Sequence, residues 1–340
     1  MAYVWIVLML LCLLMYISLD GYDLGIGIAT LYERDERHRR EMLEQVAQAW
    51  DGNETWLALL AVGLWAGFPE AFGTMLPHAY LPLIVVLLSL IVRGVSVELV
   101  SQSPPARGWT KAFGIASLIA ALAQGIVFGT LTTQLTVVNG AFSGSPFGAI
   151  SWYSLLTAAT VTSIYLALGH AFLKWKATGE LRVRAGRLGT MWTVLASVLG
   201  AASLSAADAT ATPLNLHSPA RAIAFAGLLA FAVAGVVMTL ATLRPTSRYD
   251  ALPTAGLVVT IVALAVAIVV ARYPVLAPPA LTIGNTAAPG ATMVFLAVGI
   301  GLNVPLILFY NWFSHHAFRG KLDSGPGGRD LPTPGLRSHL

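Results

Sequence analysis

The sequence predicts an all-α, polytopic membrane protein with nine transmembrane helices, its N-terminus outside (periplasmic) and its C-terminus cytoplasmic. Three observations carry this expectation. Of 340 residues, 56% are hydrophobic and 11% charged, where a soluble domain carries about 25% charged. Apolar segments of roughly 20 residues, the length a helix needs to cross hydrocarbon, recur along the chain. Basic residues are concentrated in every second linker between those segments, as positive residues are on the cytoplasmic side of membrane proteins.

The apolar segments run over 3–31, 50–72, 76–100, 111–135, 152–175, 188–207, 220–243, 252–272 and 291–318. The first begins without a positively charged stretch and continues past signal-peptide length, so it reads as a span. The first and last exceed the length of one crossing, which predicts tilt or extension into water. Arg34, Arg37, Arg39 and Arg40 follow the first segment, and Arg107 and Lys111 follow the third. Lys174, Lys176, Arg182, Arg184 and Arg187 follow the fifth, Arg244 and Arg248 the seventh, and Arg319, Lys321, Arg329 and Arg337 the last. The alternate linkers hold only Arg221 and Arg272 at their edges, and Arg93 lies inside a span. An odd number of spans is the arrangement that keeps this alternation.

Between the spans, residues 32–49 alternate acids and bases and predict a short interfacial helix with a solvated face. Residues 136–151 and 273–290 are rich in Gly, Ser, Thr and Pro and read as exterior loops. A membrane domain over 1–321 is expected, followed by a disordered cytoplasmic tail over 322–340, where Ser324-Gly325-Pro326-Gly327-Gly328 sets the composition. The formal charge of +4 follows the membrane topology and predicts no nucleic-acid partner. The single cysteine, Cys12, lies in an apolar segment and reads as a small core residue.

Acids inside such a chain are informative, because an ionised side chain in hydrocarbon is costly unless it is paired or lines a cavity. Leu19-Asp20-Gly21-Tyr22-Asp23-Leu24-Gly25 lies in the first apolar run, and Trp50-Asp51-Gly52-Asn53-Glu54-Thr55-Trp56 opens the second. The third run carries Arg93 and Glu98 near its end. The predicted topology brings all three groups to the cytoplasmic side. Asp20 and Asp23 share a helix face, as do Asp51 and Glu54. Arg93 is expected to neutralise an acid from another span, Asp23 or Asp51, and not Glu98, five residues away on the same helix. The small residues Gly21, Gly25 and Gly27 predict close approach of a neighbouring backbone. A chain of exchangeable groups of this kind suits a proton route, for which Asp20, Asp23, Asp51, Glu54, Arg93 and Glu98 are the candidates, supported by Trp50, Asn53 and Trp56. Helix capping is the rival role for Asp51, and helix packing the rival for Asp20 and Asp23. Glu70, at the outer end of its span, reads as solvated.

Other chemistry finds little purchase. His78, His170, His217 and the adjacent His315-His316 lack haem-attachment or zinc spacing, and His170 reads as a satisfied interior histidine in preference to a haem ligand. No catalytic, cofactor-binding or metal-ligating residue is predicted. Trp5, Trp50, Trp109, Trp152, Trp175 and Trp312 lie at span ends, where an interfacial aromatic belt accounts for them.

The two acidic motifs, extended through Leu24-Gly25-Ile26-Gly27, resemble those of subunit II of the cytochrome bd-type quinol oxidases, a family that includes cyanide-insensitive members. The similarity continues through Leu90-Ile91-Val92-Arg93-Gly94-Val95, Gln124-Gly125, Lys174 with Thr178-Gly179-Glu180-Leu181, Tyr273-Pro274 with Leu281-Thr282-Ile283, and Phe318-Arg319-Gly320-Lys321. The resemblance implies a nine-helix, haem-free subunit of a respiratory quinol:oxygen oxidoreductase in the bacterial inner membrane. It would support a haem-bearing subunit I, where the b-type and d-type (or only b-type) haems reside, and contribute cytoplasmic proton uptake for reduction of O2 to water. A structural quinone, lipid and a small single-helix accessory subunit are further implied associates. By match to the motifs, Asp23, Asp51, Arg93 and Glu98 are implicated in the proton route, with Trp50 beside it. A pure scaffold without proton conduction and a stand-alone proton-coupled transporter are the alternatives, the latter disfavoured by the paired motifs.

Overall fold

The computed structural model describes residues 1–102, 107–133, 137–138, 141–210, 214–277 and 281–317. The expected tail over 322–340 and the Phe318-Arg319-Gly320-Lys321 motif lie outside the described residues. Helix α1 (Ala2–Thr30) is a continuous apolar run, and at 1.5 Å per residue it is about 43 Å long, more than the ~30 Å hydrocarbon core requires. Helix α2 (Glu36–Ala47) is the predicted short helix, begun by Asp35, whose side chain accepts from the Arg37 N–H at 2.8 Å. Its apolar side, Met42, Leu43 and Val46, is buried in the protein core, which leaves its charged residues to the solvated side.

Helices α3 (Trp50–Gly67) and α4 (Pro69–Gln102) are separated only by Phe68. Pro69 supplies the pre-set φ suited to a first helical position, where its missing N–H costs nothing. The expected break over 73–75 therefore does not occur: α4 begins earlier and absorbs those residues. Helix α5 covers Arg107–Thr132. Helix α6 (Trp152–Lys176) opens on a reciprocal cap, Ser151 and Ser154 each accepting from the other's backbone N–H. A short turn leads to α7 (Gly179–Thr210), where Gly179 has φ of 57°, the left-handed region that a side chain disfavours. The stretch 182–187, expected in a linker, is thereby helical.

Helices α8 (Pro219–Thr242) and α9 (Leu252–Arg272) form an antiparallel pair. The last apolar segment, expected as one helix, is broken at Leu302 into α10 (Gly290–Gly301) and α11 (Asn303–Ala317). Two small antiparallel hairpins depart from the all-helical expectation, in the segments predicted as exterior loops. Strand β1 (Val137–Val138) pairs with β2 (Ala141–Phe142), and β3 (Val275–Ala277) with β4 (Leu281–Thr282).

Among the described residues, eight helical stretches are long and apolar enough to cross a membrane, the last combining α10 with α11 over Gly290–Phe313. The expected second span, α3, is not among them, because Asp51, Asn53 and Glu54 fall in its first two turns.

Helix α1 lies at the centre, packed on α3, α5 and α6, while α4 packs along α5 and α6 along α7. The α1–α6 contact is backbone to backbone. A Cβ on Gly25 would strike the Tyr165 carbonyl oxygen, and one on Gly169 would strike the backbone of Gly25. The small residues predicted to admit a neighbouring chain do so here. Trp5 differs from its expected place in an interfacial belt. It is buried, and its indole N–H donates to Gly63 O at 2.9 Å, because Gly67 leaves room for the ring on α3 and Gly63 leaves room for the neighbouring Met9 side chain. Trp109, Trp152 and Trp312 are exposed, as belt residues are.

Candidate functional site

The α1 acids, Asp20 and Asp23, are fully buried and lie on one face. Opposite them, α4 brings Arg93, also fully buried. Its Nη2 is 2.6 Å from Asp20 Oδ1 and 3.8 Å from Asp23 Oδ2. Helix α3 supplies the third wall. Asn53 Nδ2 donates to Asp23 Oδ2 at 2.8 Å and to the Tyr22 hydroxyl at 3.0 Å. Glu54 Oε2 stands 4.0 Å from Arg93 Nη1, with its side chain 27% exposed.

Of the two partners expected for Arg93, Asp23 is met and Asp51 is not, and the nearest partner is one the expectation did not name. Asp20 is the nearest acid, Asp23 the second, and Asp51 forms no ion pair with it. Asp51 is exposed in the first turn of α3, and its Oδ1 accepts from the Gly52 N–H at 2.8 Å. That contact satisfies a free helix-start N–H and places negative charge at the positive end of the helix dipole. Glu98 is exposed on α4, about 140° around the helix from Arg93. Trp50 packs its ring against Gly94, beside Arg93, at 3.0 Å from where a Cβ would stand. Trp56 is buried in the apolar cluster with Trp5 and Met9, so it packs the core.

Five of the predicted residues therefore form one buried or half-buried cluster: Asp20, Asp23, Asn53, Glu54 and Arg93. Three carboxyl groups face one guanidinium. Among the described residues, the Asp20 oxygens, Asp23 Oδ1, Glu54 Oε2 and the Arg93 nitrogens receive or make no aligned hydrogen bond. Buried charges normally satisfy such capacity. A buried site with more carboxyl groups than cations is one that can take up a proton.

Sequence reasoning missed four tyrosine and amide groups beside the cluster. Tyr22 meets Asn53, and Gln124 Nε2 donates to the Tyr16 hydroxyl at 2.7 Å, while the Tyr165 hydroxyl donates to Gln124 Oε1 at 2.7 Å. The signal for Gln124 was available, since it is a lone amide within the apolar run Ala116–Phe128.

His170 is buried and commits both ring nitrogens. Nδ1 lies 2.7 Å from Leu166 O and Nε2 2.9 Å from the Tyr32 hydroxyl. A carbonyl can only accept, so Nδ1 carries the hydrogen and Nε2 accepts from Tyr32. Burial raises the Tyr32 hydroxyl pKa, which keeps that donor protonated. This is the arrangement of a satisfied interior histidine. At the same end of the bundle, Lys174 Nζ and Arg182 Nη2 share Asp250 Oδ1 at 2.9 and 2.7 Å. Arg184 Nη1 pairs with Glu33 Oε1 at 2.9 Å. These pairs fasten the α6–α7 hairpin to its neighbouring linkers.

With this geometry in place, the relationships of the chain can be stated. The family model for cytochrome bd terminal oxidase subunit II matches residues 1–318. The chain belongs to that family. It is 32% identical over 216 residues to cytochrome bd ubiquinol oxidase subunit 2 of Bacillus subtilis (strain 168), covering 59% of this chain and 62% of the relative. It is 27% identical over 191 residues to cytochrome bd-I ubiquinol oxidase subunit 2 of Escherichia coli (strain K12), covering 54% and 50%. The matched regions thus span half to about three fifths of those relatives' lengths. The same fold occurs in the structure of bd oxidase from Geobacillus thermodenitrificans, with a TM-score of 0.73 and 20% identity, over 92% of this chain and 98% of that one. As a family member with eight candidate spans, the chain is a multi-pass protein of the inner membrane.

Proposed function

We propose that this chain is subunit II of a respiratory quinol:oxygen oxidoreductase. In this reading it crosses the membrane nine times, with α3 as the ninth span, the N-terminus outside and the C-terminus in the cytoplasm. It supports a haem-bearing subunit I and delivers cytoplasmic protons toward the site of O2 reduction. The b-type and d-type (or only b-type) haems belong to the partner. A structural quinone, surrounding lipid and a small single-helix accessory subunit complete the assembly. No haem ligand is assigned to this chain, since His170, its interior candidate, has both ring nitrogens in hydrogen bonds.

The single observation that carries the proton route is the gradient of burial across the acids of α1, α3 and α4. Asp51 and Glu98 are exposed, Glu54 is partly exposed, and Asp20 and Asp23 are fully buried around Arg93. The exposed acids collect protons, Glu54 carries them inward, and the buried pair holds them beside the guanidinium, with Trp50 shielding Arg93 from one side. Asp23→Asn in the purified complex should lower turnover and proton uptake by about a hundredfold or more, the scale of a single proton-transferring side chain, with haem content unchanged. Full turnover in the assembled variant would refute the route.

A scaffold role is the second reading. It is favoured by the Asn53–Asp23 hydrogen bond and the Arg93–Asp20 ion pair, which tie α3 and α4 to α1. It predicts that Asp23→Asn lowers haem content and assembly together, with normal turnover per assembled complex. Copurification with a haem-bearing partner separates both readings from a stand-alone transporter.

A further inference from the structure

The acid cluster lies between two unlike ends of the α1–α3 seam. Toward the proposed cytoplasmic face it meets solvent through Glu54, whose side chain is 27% exposed. Toward the proposed outer face, residues 4–15 of α1 and 57–68 of α3 are apolar apart from the Cys12 thiol and the indoles of Trp5 and Trp65. The helix backbones add no route there, since their N–H and C=O groups are spent on bonds within each helix. From Asp20 to Trp5 this stretch is about 22 Å long, at 1.5 Å per residue.

The two helices interlock along it. Met9 and Trp5, one turn apart on α1, sit where Cβ atoms on Gly63 and Gly67, one turn apart on α3, would stand. The Trp5 indole N–H donates to Gly63 O at 2.9 Å and fixes the ring in its seat. Trp5, Met9, Cys12 and Trp56 are all buried in one apolar cluster. The outer end is closed a second time by the loop after β4. The Ala288 N–H donates to Gly67 O at 2.9 Å, and Ile283 and Ala288 are buried in the same cluster.

We propose that Trp5 and Met9, seated on Gly67 and Gly63, form a proton seal that keeps the α1–α3 seam dry, so that the acid cluster exchanges protons with the cytoplasm alone. The inference deepens the proton-route reading and rests on it. A proton crossing this stretch would need water, and a tightly filled apolar space holds none. Without the seal, protons from outside would reach the cluster, and the charge separation gained by taking them from the cytoplasm would be lost.

Cys12, the only cysteine of the chain, is buried inside the seal. A thiol reacts as its thiolate, a charged form that needs water, so Cys12 reports hydration at that depth. In the purified complex, a charged methanethiosulfonate reagent should leave Cys12 unmodified, read from the mass of this subunit. Trp5→Ser/Met9→Ser should make it reactive, because serine supplies the space and the hydroxyl that an interior water needs. The volume-matched, apolar Met9→Leu should leave it inert. In liposomes holding the resting complex, an imposed pH gradient should collapse severalfold faster with the serine variant than with the parent. Asp23→Asn in the serine background should restore the parent rate. A reactive Cys12 in the parent, an inert Cys12 or unchanged collapse in the serine variant, or a leak that survives Asp23→Asn overturns the proposal. If the double variant does not assemble, Met9→Ser alone takes its place, with the same outcomes deciding. Both measurements are made without turnover, so the two readings fail separately. Slow turnover in Asp23→Asn with no faster collapse in the serine variant sinks the seal alone, whereas normal turnover in Asp23→Asn sinks the route.

Discussion

Arg93 is the residue on which the cluster depends. It is the only guanidinium drawn into the buried site among the described residues, and it faces Asp20, Asp23 and Glu54. Removing one partner of a buried charge cluster leaves the others uncompensated, at a cost of about 3–5 kcal/mol. Arg93→Leu should therefore lower the thermal unfolding midpoint of the detergent-purified complex sharply or prevent its assembly. Asp23→Asn should be far milder, because Arg93 keeps Asp20 at 2.6 Å and the substituted amide can still bond with Asn53. Equal loss of stability in the two variants would show that Asp20 is not the principal partner. The ordering was not legible in the sequence. Spacing put Asp20 and Asp23 on one face, but which of them meets α4 depends on how α4 is rotated and shifted against α1.

At the scale of elements, the α1–α6 crossing is the tightest feature around the site. The backbones of Gly25 and Gly169 are in direct contact, and backbone atoms cannot yield as a side-chain end can. Gly25→Ala should destabilise the protein by about 1–3 kcal/mol or more, as overpacking does. Gly227→Ala on α8, where an added Cβ meets nothing within 4 Å, should be neutral or stabilising by up to about 1 kcal/mol, from the better helix propensity of alanine. Thermal unfolding of both variants in the same detergent checks the contrast, and similar losses in the two would argue against the close crossing. The Gly21, Gly25, Gly27 pattern signalled this approach in advance. It did not say which helix would approach, because α6 is more than a hundred residues away along the chain.

At the scale of the whole molecule, the proposed topology places the linker holding Arg244 and Arg248 in the cytoplasm and the turn at Phe147 outside. Both Tyr249 and Phe147 are exposed. In a Cys12→Ser background, cysteine placed at Phe147 should react with a membrane-impermeant thiol reagent added to intact cells, and cysteine placed at Tyr249 should react only after lysis. The reverse pattern would invert the orientation, and labelling of both from outside would break the odd span count. The alternation of basic residues is a whole-chain pattern, which is why it could be read without knowing any contact.

The sequence by itself determined that this is a multi-pass helical membrane protein, where its spans approximately lie, and which acids sit where hydrocarbon should exclude them. Those properties follow from hydropathy, charge placement and helical spacing, all of them local along the chain. Only the tertiary structure decided that Asp20 outranks Asp23 as the partner of Arg93, that Asp51 stands exposed with its carboxylate on the Gly52 N–H, and that Trp5 and Trp56 pack the core. It alone joined Tyr16, Gln124 and Tyr165 from three helices into one network. Each of these depends on the rotation and depth of one helix against another, which is set by packing between residues far apart in sequence.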